Sequence, residues 1–155
     1  MQTIEKTIEV YRSVSAVYGQ WARFQDFPQF MQGIKEVKLL DDKRVRWKAE
    51  IGGKVQEWDA EIIEQVPDRR ISWSSISGAR NLGTVTFVSL TAAKTRVILY
   101  LSYDPEGIFE NLGANLGMVS TRVTGDLDRF KEFVESRVAP AQLGTVAALI
   151  IAANP

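Results

Sequence analysis

Two residue types are missing from this chain of 155 residues, cysteine and histidine. Without cysteine, the chain has no disulfide framework, no thiol nucleophile and no thiolate metal site. Without histidine, it lacks the commonest general base and the commonest metal ligand. We therefore expect no bound metal ion and no cofactor.

An excess of one charge is also missing, because 19 basic residues balance 19 acidic residues. Domains that bind nucleic acid show a basic excess or a basic patch. The balance of charges therefore gives no reason to expect a nucleic acid partner.

Hydrophobic runs of membrane-spanning length are absent as well. Glu5 and Lys6 interrupt the first apolar run, so that run does not have the pattern of a signal peptide. The C-terminal tail, residues 139–155, holds about a dozen apolar residues, whereas a spanning helix needs about 20. We expect a cytoplasmic protein with no integral membrane span.

The tail follows what we predict to be one domain, residues 1–138. Its most apolar part is Leu149, Ile150 and Ile151. We expect it to pack on its own domain or on a second subunit, which would make the protein a homo-oligomer. Association with a membrane surface is the less favoured alternative, because the tail lacks the basic face that such helices use.

A long helix near the C-terminus organises the rest of the predicted fold. Its apolar stripe, with steps of three and four, is Phe109, Leu112, Leu116, Val119, Val123, Leu127, Phe130 and Val134. Asp104 is a suitable N-cap and Pro105 suits the first helical turn. No second helix of this length is predicted, so the stripe must pack on a sheet. Gly113 flanks it, which indicates either close helix–sheet packing or room for a ligand.

The first 33 residues predict a strand and two short helices. Residues 3–11 alternate as a strand. Ser13 or Ser15 can cap the first helix, and Pro28 is expected to end it and to start a second helix that holds Phe30 and Met31.

The next two strands are predicted to form a hairpin, and the charges of the facing residues test its register. If the turn lies at Gly52-Gly53, facing residues have numbers that add up to 105. The outer pairs are then Arg44–Glu61, Arg46–Asp59 and Lys48–Glu57, and the inner pairs are Val45–Ala60 and Trp47–Trp58. Three opposite-charge pairs support this register, since each is worth about 0.2–1 kcal/mol.

Three further strands continue the antiparallel meander. A turn after Val66 should place Trp73 opposite Ile62, Ser75 opposite Ala60 and Ser77 opposite Trp58. A loop at residues 78–80 should bring Gly83 opposite Ser75 and Val85 opposite Trp73. A last turn near residues 91–93 puts the following residues on the inner face: Val97, Leu99, Leu101 and Tyr103.

Polar residues cluster at one end of the predicted inner face. They are Gln56, Ser75, Ser77, Asn81 and Tyr103. Buried polar groups need partners, so this cluster indicates the mouth of a pocket; the alternative is a solvated sheet edge. Trp47, Trp58 and Trp73 are core aromatics by default, with stacking on a ligand as a second role for Trp58.

The sequence shows no catalytic motif. Asp104, Glu110 and Arg80 are the ionisable residues nearest the predicted mouth, whereas Asp59 and Glu61 lie on the outer face. Neither a nucleophile–base pair, nor a phosphate-binding loop, nor a spacing of metal ligands is present.

The order of elements resembles the helix-grip fold, and the residues are similar to the bacterial polyketide cyclase/dehydrase-like branch of the START-related superfamily. The matching segments, between about Ile4 and Arg137, are Val17-Tyr18 with Trp21, Phe27-Pro28-Gln29-Phe30-Met31, Trp58-Asp59-Ala60-Glu61, Val66-Pro67 with Arg70-Ile71-Ser72-Trp73, Gly83 with Val85-Thr86-Phe87, Thr95-Arg96-Val97, and Asp104-Pro105-Glu106-Gly107.

This resemblance implies an α+β fold in which a curved antiparallel sheet of about seven strands wraps a long C-terminal helix. It also implies a cavity between sheet and helix for hydrophobic or aromatic molecules such as lipids, polyketides or quinones. We expect a binding or carrier protein; the alternative is an enzyme of the polyketide aromatase/cyclase or dehydratase type. The candidate ligand-binding residues are Trp47, Gln56, Trp58, Trp73, Ser75, Ser77, Arg80, Asn81, Leu99, Leu101, Tyr103, Phe109, Glu110 and Gly113.

Overall fold

A computed structural model describes residues 2–51, 53–78, 80–104 and 116–137. In these ranges, seven antiparallel strands form one curved sheet in the order β1-β7-β6-β5-β4-β3-β2. The strands are β1 (Gln2–Val10), β2 (Ile34–Leu39), β3 (Arg44–Ile51), β4 (Lys54–Val66), β5 (Arg70–Ser75), β6 (Asn81–Thr91) and β7 (Lys94–Tyr103). The predicted α+β architecture is confirmed.

Helix α1 (Val14–Trp21) begins where one of the two predicted caps stands. The hydroxyl of Ser13 accepts a hydrogen bond from the backbone N–H of Ala16 at 3.3 Å. This bond satisfies one of the amide groups that have no partner inside the helix.

The second short helix differs from the prediction. It is a 3₁₀ helix, Phe24–Gln29, which contains Pro28, and Phe30 and Met31 follow it. In a 3₁₀ helix, side chains three residues apart lie on the same side. Phe24, Phe27 and Phe30 have this spacing, and all three are buried. Phe24 and Phe27 therefore lie on the same, buried side of this helix.

The long helix α2 spans Leu116–Ser136 and covers the inner face of the sheet. Its buried residues belong to the predicted stripe: Val119, Val123, Leu127, Phe130 and Val134. The predicted start of this helix falls on residues 105–115, outside the described residues, and so do Phe109, Glu110, Gly113 and the C-terminal tail.

No helix within the described ranges is both long and apolar enough to span a bilayer.

The register of the β3–β4 hairpin is confirmed along its whole length. Arg46 and Asp59 form the outer ion pair, with Nε and Oδ1 2.8 Å apart. This guanidinium lowers the pKa of the Asp59 carboxyl. On the inner face, the Trp47 and Trp58 rings stack with centroids 5.9 Å apart and planes 3° from parallel.

The predicted register between β5 and β6 is wrong by two residues. Gly83 faces Trp73, and Val85 faces Ile71. The indole of Trp73 explains this register, since a Cβ on Gly83 would overlap its six-membered ring. Glycine is found in a strand where another group approaches the backbone this closely.

The predicted ladder pair of Ser77 with Trp58 is also wrong, because β5 ends at Ser75. The Ser77 hydroxyl instead accepts a hydrogen bond from the backbone N–H of Asp59 at 3.0 Å, and its residue is exposed. The two earlier pairs on this ladder, Trp73 with Ile62 and Ser75 with Ala60, are confirmed.

We predict that Gly83→Ala lowers the free energy of unfolding by about 1–3 kcal/mol, because the new methyl group overpacks the Trp73 ring. Urea denaturation measures the change. Gly19→Ala is the matched control: a Cβ there meets nothing within 4 Å, and replacing a helical glycine should stabilise by about 1 kcal/mol. An unchanged midpoint for Gly83→Ala would contradict the contact.

Candidate ligand-binding site

A cavity lies between the two short helices and strands β3, β4 and β5. The volume of this cavity is about 40 Å³. Its lining residues are Trp21, Phe24, Phe27, Met31, Val45, Trp47, Ala60, Ile62 and Trp73. All nine are apolar, and apolar cavities exclude water and accept apolar molecules.

The alternation of the strands and the spacing in the 3₁₀ helix create this lining. Alternate residues of a strand share a face, so Val45 and Trp47 point inward together, as do Ala60 and Ile62. Ala60 is 1% exposed, and its small side chain lies among much larger ones. The cavity is therefore the space that alanine leaves between the aromatic rings.

An aromatic array holds one wall in place. Trp47 stacks on Trp58 and also packs against Phe27, with centroids 5.4 Å apart. Trp21 packs edge-to-face on Phe27 at 5.8 Å. Such pairs contribute about 0.5–1.5 kcal/mol each beyond burial of their area. These rings therefore form a rigid wall.

The enclosed volume limits what fits without movement. An engineered apolar cavity that binds benzene measures about 150 Å³, several times the volume here. A larger ligand must extend beyond the cavity or displace a side chain. Met31 is a half-buried lining residue, and methionine is the most adaptable of the apolar side chains.

A polar row adjoins the cavity on the inner face. Ala60 pairs with Ser75, whose hydroxyl accepts a hydrogen bond from the backbone N–H of Asn81 at 2.9 Å. Asn81 in turn pairs with Tyr103. Because Ala60 on β4 lines the cavity, Ser75 on β5 is the member of this row beside it, and Asn81 on β6 and Tyr103 on β7 lie one and two strands further along the same face.

Tyr103 is the most buried member of the polar row, at 2% exposure. Burial raises the pKa of its phenol, because the charged phenolate loses its hydration. The hydroxyl therefore remains a hydrogen-bond donor at neutral pH.

The structure brings only some of the predicted residues to this site. Trp47 and Trp73 line the cavity, Trp58 stacks beside it, and Ser75, Asn81 and Tyr103 form the polar row. Leu99 and Leu101 lie on the inner face of β7. Gln56 is half-buried near the start of β4, whereas Ser77 and Arg80 are exposed.

Seven lining residues were not predicted: Trp21 of α1, Phe24 and Phe27 of the 3₁₀ helix, Met31 after it, and Val45, Ala60 and Ile62 of β3 and β4. The three-residue spacing of the phenylalanines was the available signal. Within the described ranges, His, Cys, Asp and Glu form no group of three able to hold a metal ion.

We predict that Tyr103 ionises above the ordinary tyrosine pKa of about 10. An alkaline absorbance titration of wild type and Tyr103→Phe measures this, and the component lost in the variant should titrate above that ordinary value. Stability should follow the same sign: the unfolded chain loses this proton first, so the Tyr103 contribution is complete below pH ~10 and is lost as pH rises through the folded pKa. Loss of a component at or below the ordinary value would contradict the burial of this phenol.

Comparison with known proteins identifies the family of this chain. Residues 10–132 match the family model described as "Polyketide cyclase / dehydrase and lipid transport". An uncharacterized 17.2 kDa protein from the melC2-rnhH intergenic region of Streptomyces lincolnensis is 40% identical over 138 residues, which are 88% of this chain and 92% of the relative.

Two solved structures share the fold. The Zhui aromatase/cyclase from a Streptomyces species superposes with a TM-score of 0.77 at 16% identity, covering 90% of this chain and 97% of that one. A START superfamily protein from Mycobacterium smegmatis has a TM-score of 0.69 at 19% identity, covering 88% and 96%. The chain belongs to the polyketide cyclase/dehydrase and lipid transport family.

Proposed function

We propose that this protein binds or carries a hydrophobic small molecule of the lipid, polyketide or quinone class. The apolar part of the ligand occupies the cavity, and its polar group hydrogen-bonds to the row of Ser75, Asn81 and Tyr103. The observation that carries the proposal is the lining itself: nine apolar residues surround a space, and the polar row begins at Ser75, beside the lining residue Ala60.

The apolar cavity and the polar row would contribute differently to binding. Apolar burial contributes about 2.5 kcal/mol for each ~100 Å² removed from water. One neutral hydrogen bond contributes only about 0.5–1.5 kcal/mol. The cavity would therefore supply most of the affinity, and the polar row would select among ligands by their head groups.

A polyketide aromatase/cyclase or dehydratase-type activity is the second candidate. The feature that favours it is the buried phenol of Tyr103, which stays protonated and lies on the same inner face of the sheet as the cavity. A bound chain held in one conformation reacts faster because the entropy of alignment is already lost. Tyr103→Phe should then abolish cyclisation of a linear polyketide analogue while leaving its binding nearly unchanged.

The remaining predictions concern partners and location. We propose a cytoplasmic protein that does not bind nucleic acid, on the basis of its balanced charge. The division into a domain at residues 1–138 and a tail at residues 139–155 also stays a prediction, as does the homo-oligomer through that tail.

We predict that Ala60→Leu lowers the affinity for N-phenylnaphthylamine at least several-fold, because leucine fills the space that the ligand would occupy. Fluorescence titration measures the binding. Met31→Ala should maintain or raise the affinity, since it enlarges the same cavity.

Ala49→Leu is the matched control for Ala60→Leu. Ala49 is fully buried on β3 but does not line the cavity. Both substitutions overpack the interior, so circular dichroism and urea denaturation should show comparable effects on stability. Equal probe affinity in folded Ala60→Leu and wild type would refute the proposed site.

A further inference from the structure

A groove that is open to solvent lies next to the cavity. Its volume is about 260 Å³, and its lining residues are Pro28, Gln29, Phe30, Met31, Gln32 and Arg129. We call it the Arg129 groove. Within the described part of the chain, Met31 is the only residue that lines both this groove and the cavity. The side chain of Met31 therefore separates the two spaces.

Met31 is also the cavity residue whose position is least fixed by secondary structure. The other eight lining residues belong to α1, the 3₁₀ helix, β3, β4 and β5. Met31 lies in the connection of residues 30–33, between the 3₁₀ helix and β2, and it is half-buried. A methionine side chain is unbranched and has three rotatable bonds, so it can leave and refill a space without a change in the backbone.

The backbone on both sides of Met31 is held by the long helix. Arg129 donates a hydrogen bond to the backbone carbonyl of Phe30 at 2.9 Å, and Arg122 donates to the backbone carbonyl of Gln32. These bonds keep the connection in place while the side chain of Met31 turns. Rotation of this one side chain is therefore the smallest movement that would join the cavity to the Arg129 groove.

The other walls of the cavity offer no comparable opening among the described residues. An opening between β3 and β4, or between β4 and β5, would break hydrogen bonds of the sheet. An opening through the aromatic wall would separate Trp47 from Phe27 and Trp58, with which its ring is in contact. Rotation of the Met31 side chain requires neither change.

We propose that hydrophobic ligands enter and leave the cavity through the Arg129 groove, and that the side chain of Met31 is the gate between the two spaces. The proposal rests on the proposed function, because it takes the cavity to be the ligand site. The groove is lined by none of the polar residues at which the sequence indicates the mouth of a pocket. The two entrances are therefore distinct alternatives.

The binding kinetics of N-phenylnaphthylamine test the gate. Met31→Ile conserves the volume of the side chain but makes it stiff at χ1. We expect the association and dissociation rate constants, measured by stopped-flow fluorescence, to fall together several-fold, with a much smaller change in Kd. Ile62→Met is the matched control, because it makes the reverse exchange at a residue that lines the cavity but not the Arg129 groove. It should leave the association rate constant nearly unchanged.

The absence of native cysteine allows a second test that leaves the cavity lining intact. Gln32→Cys and Ser77→Cys, made separately in the full chain, are each labelled with the same bulky maleimide. Gln32 is exposed in the Arg129 groove, and Ser77 is exposed at the end of the inner face where the sequence indicates the mouth. We expect the label at position 32 to slow association several-fold and the label at position 77 to leave it nearly unchanged.

Unchanged rate constants in Met31→Ile and in labelled Gln32→Cys would overturn the proposed entrance. Slower association caused by the label on Ser77→Cys alone, or by both labels equally, would overturn it too. A weaker Kd with an unchanged association rate constant in Met31→Ile would show that Met31 shapes the bound state and is not a gate. These results would leave the ligand site itself in place. If the wild-type protein does not bind the probe, the proposed function fails, and the entrance fails with it.

Discussion

The apolar stripe of α2 against the inner face of the sheet is the contact on which the rest of the structure depends. Phe130 is fully buried and meets Trp21 edge-to-face, with centroids 4.8 Å apart, and Phe30 at 5.3 Å. One ring of the long helix therefore touches α1 and the residue that follows the 3₁₀ helix. Without this contact, the short helical segments that cover the cavity would lose their packing against the long helix.

Polar contacts from α2 fix the segment that carries one cavity wall. Arg129 donates to the backbone carbonyl of Phe30 at 2.9 Å, and Asp126 accepts from the backbone N–H of Gln32 at 3.1 Å. Met31 lies between these two anchored residues. Its backbone is held while its side chain remains adaptable, which suits a wall that must adjust to the size of a ligand.

Local chemistry made much of the fold predictable. Opposite charges facing each other across β3 and β4 defined that register, and the α2 stripe followed from its periodicity. The β5–β6 register was missed because it depends on the Trp73 ring over Gly83, a tertiary contact that alternation alone does not contain. The predicted inward-pointing residues of these strands are still correct, because the register error was two residues and side chains alternate with a period of two.

The candidate site was only partly predictable for a similar reason. Trp47 and Trp73 were found because strand alternation points them inward, and the polar row followed from the same parity. Trp21, Phe24 and Phe27 were missed because the prediction placed the cavity under the long helix alone. Their role depends on how the short helices dock over Ala60, and no local pattern encodes the distance between two elements.

The most direct measurement is the position of a bound ligand relative to the two buried alanines of the inner face. In protein labelled at alanine methyl groups, nuclear Overhauser effects from bound N-phenylnaphthylamine should reach the Ala60 methyl, which lines the cavity, and should not reach the Ala49 methyl. Bound probe with no contact to Ala60 would show that the ligand site lies elsewhere in the molecule.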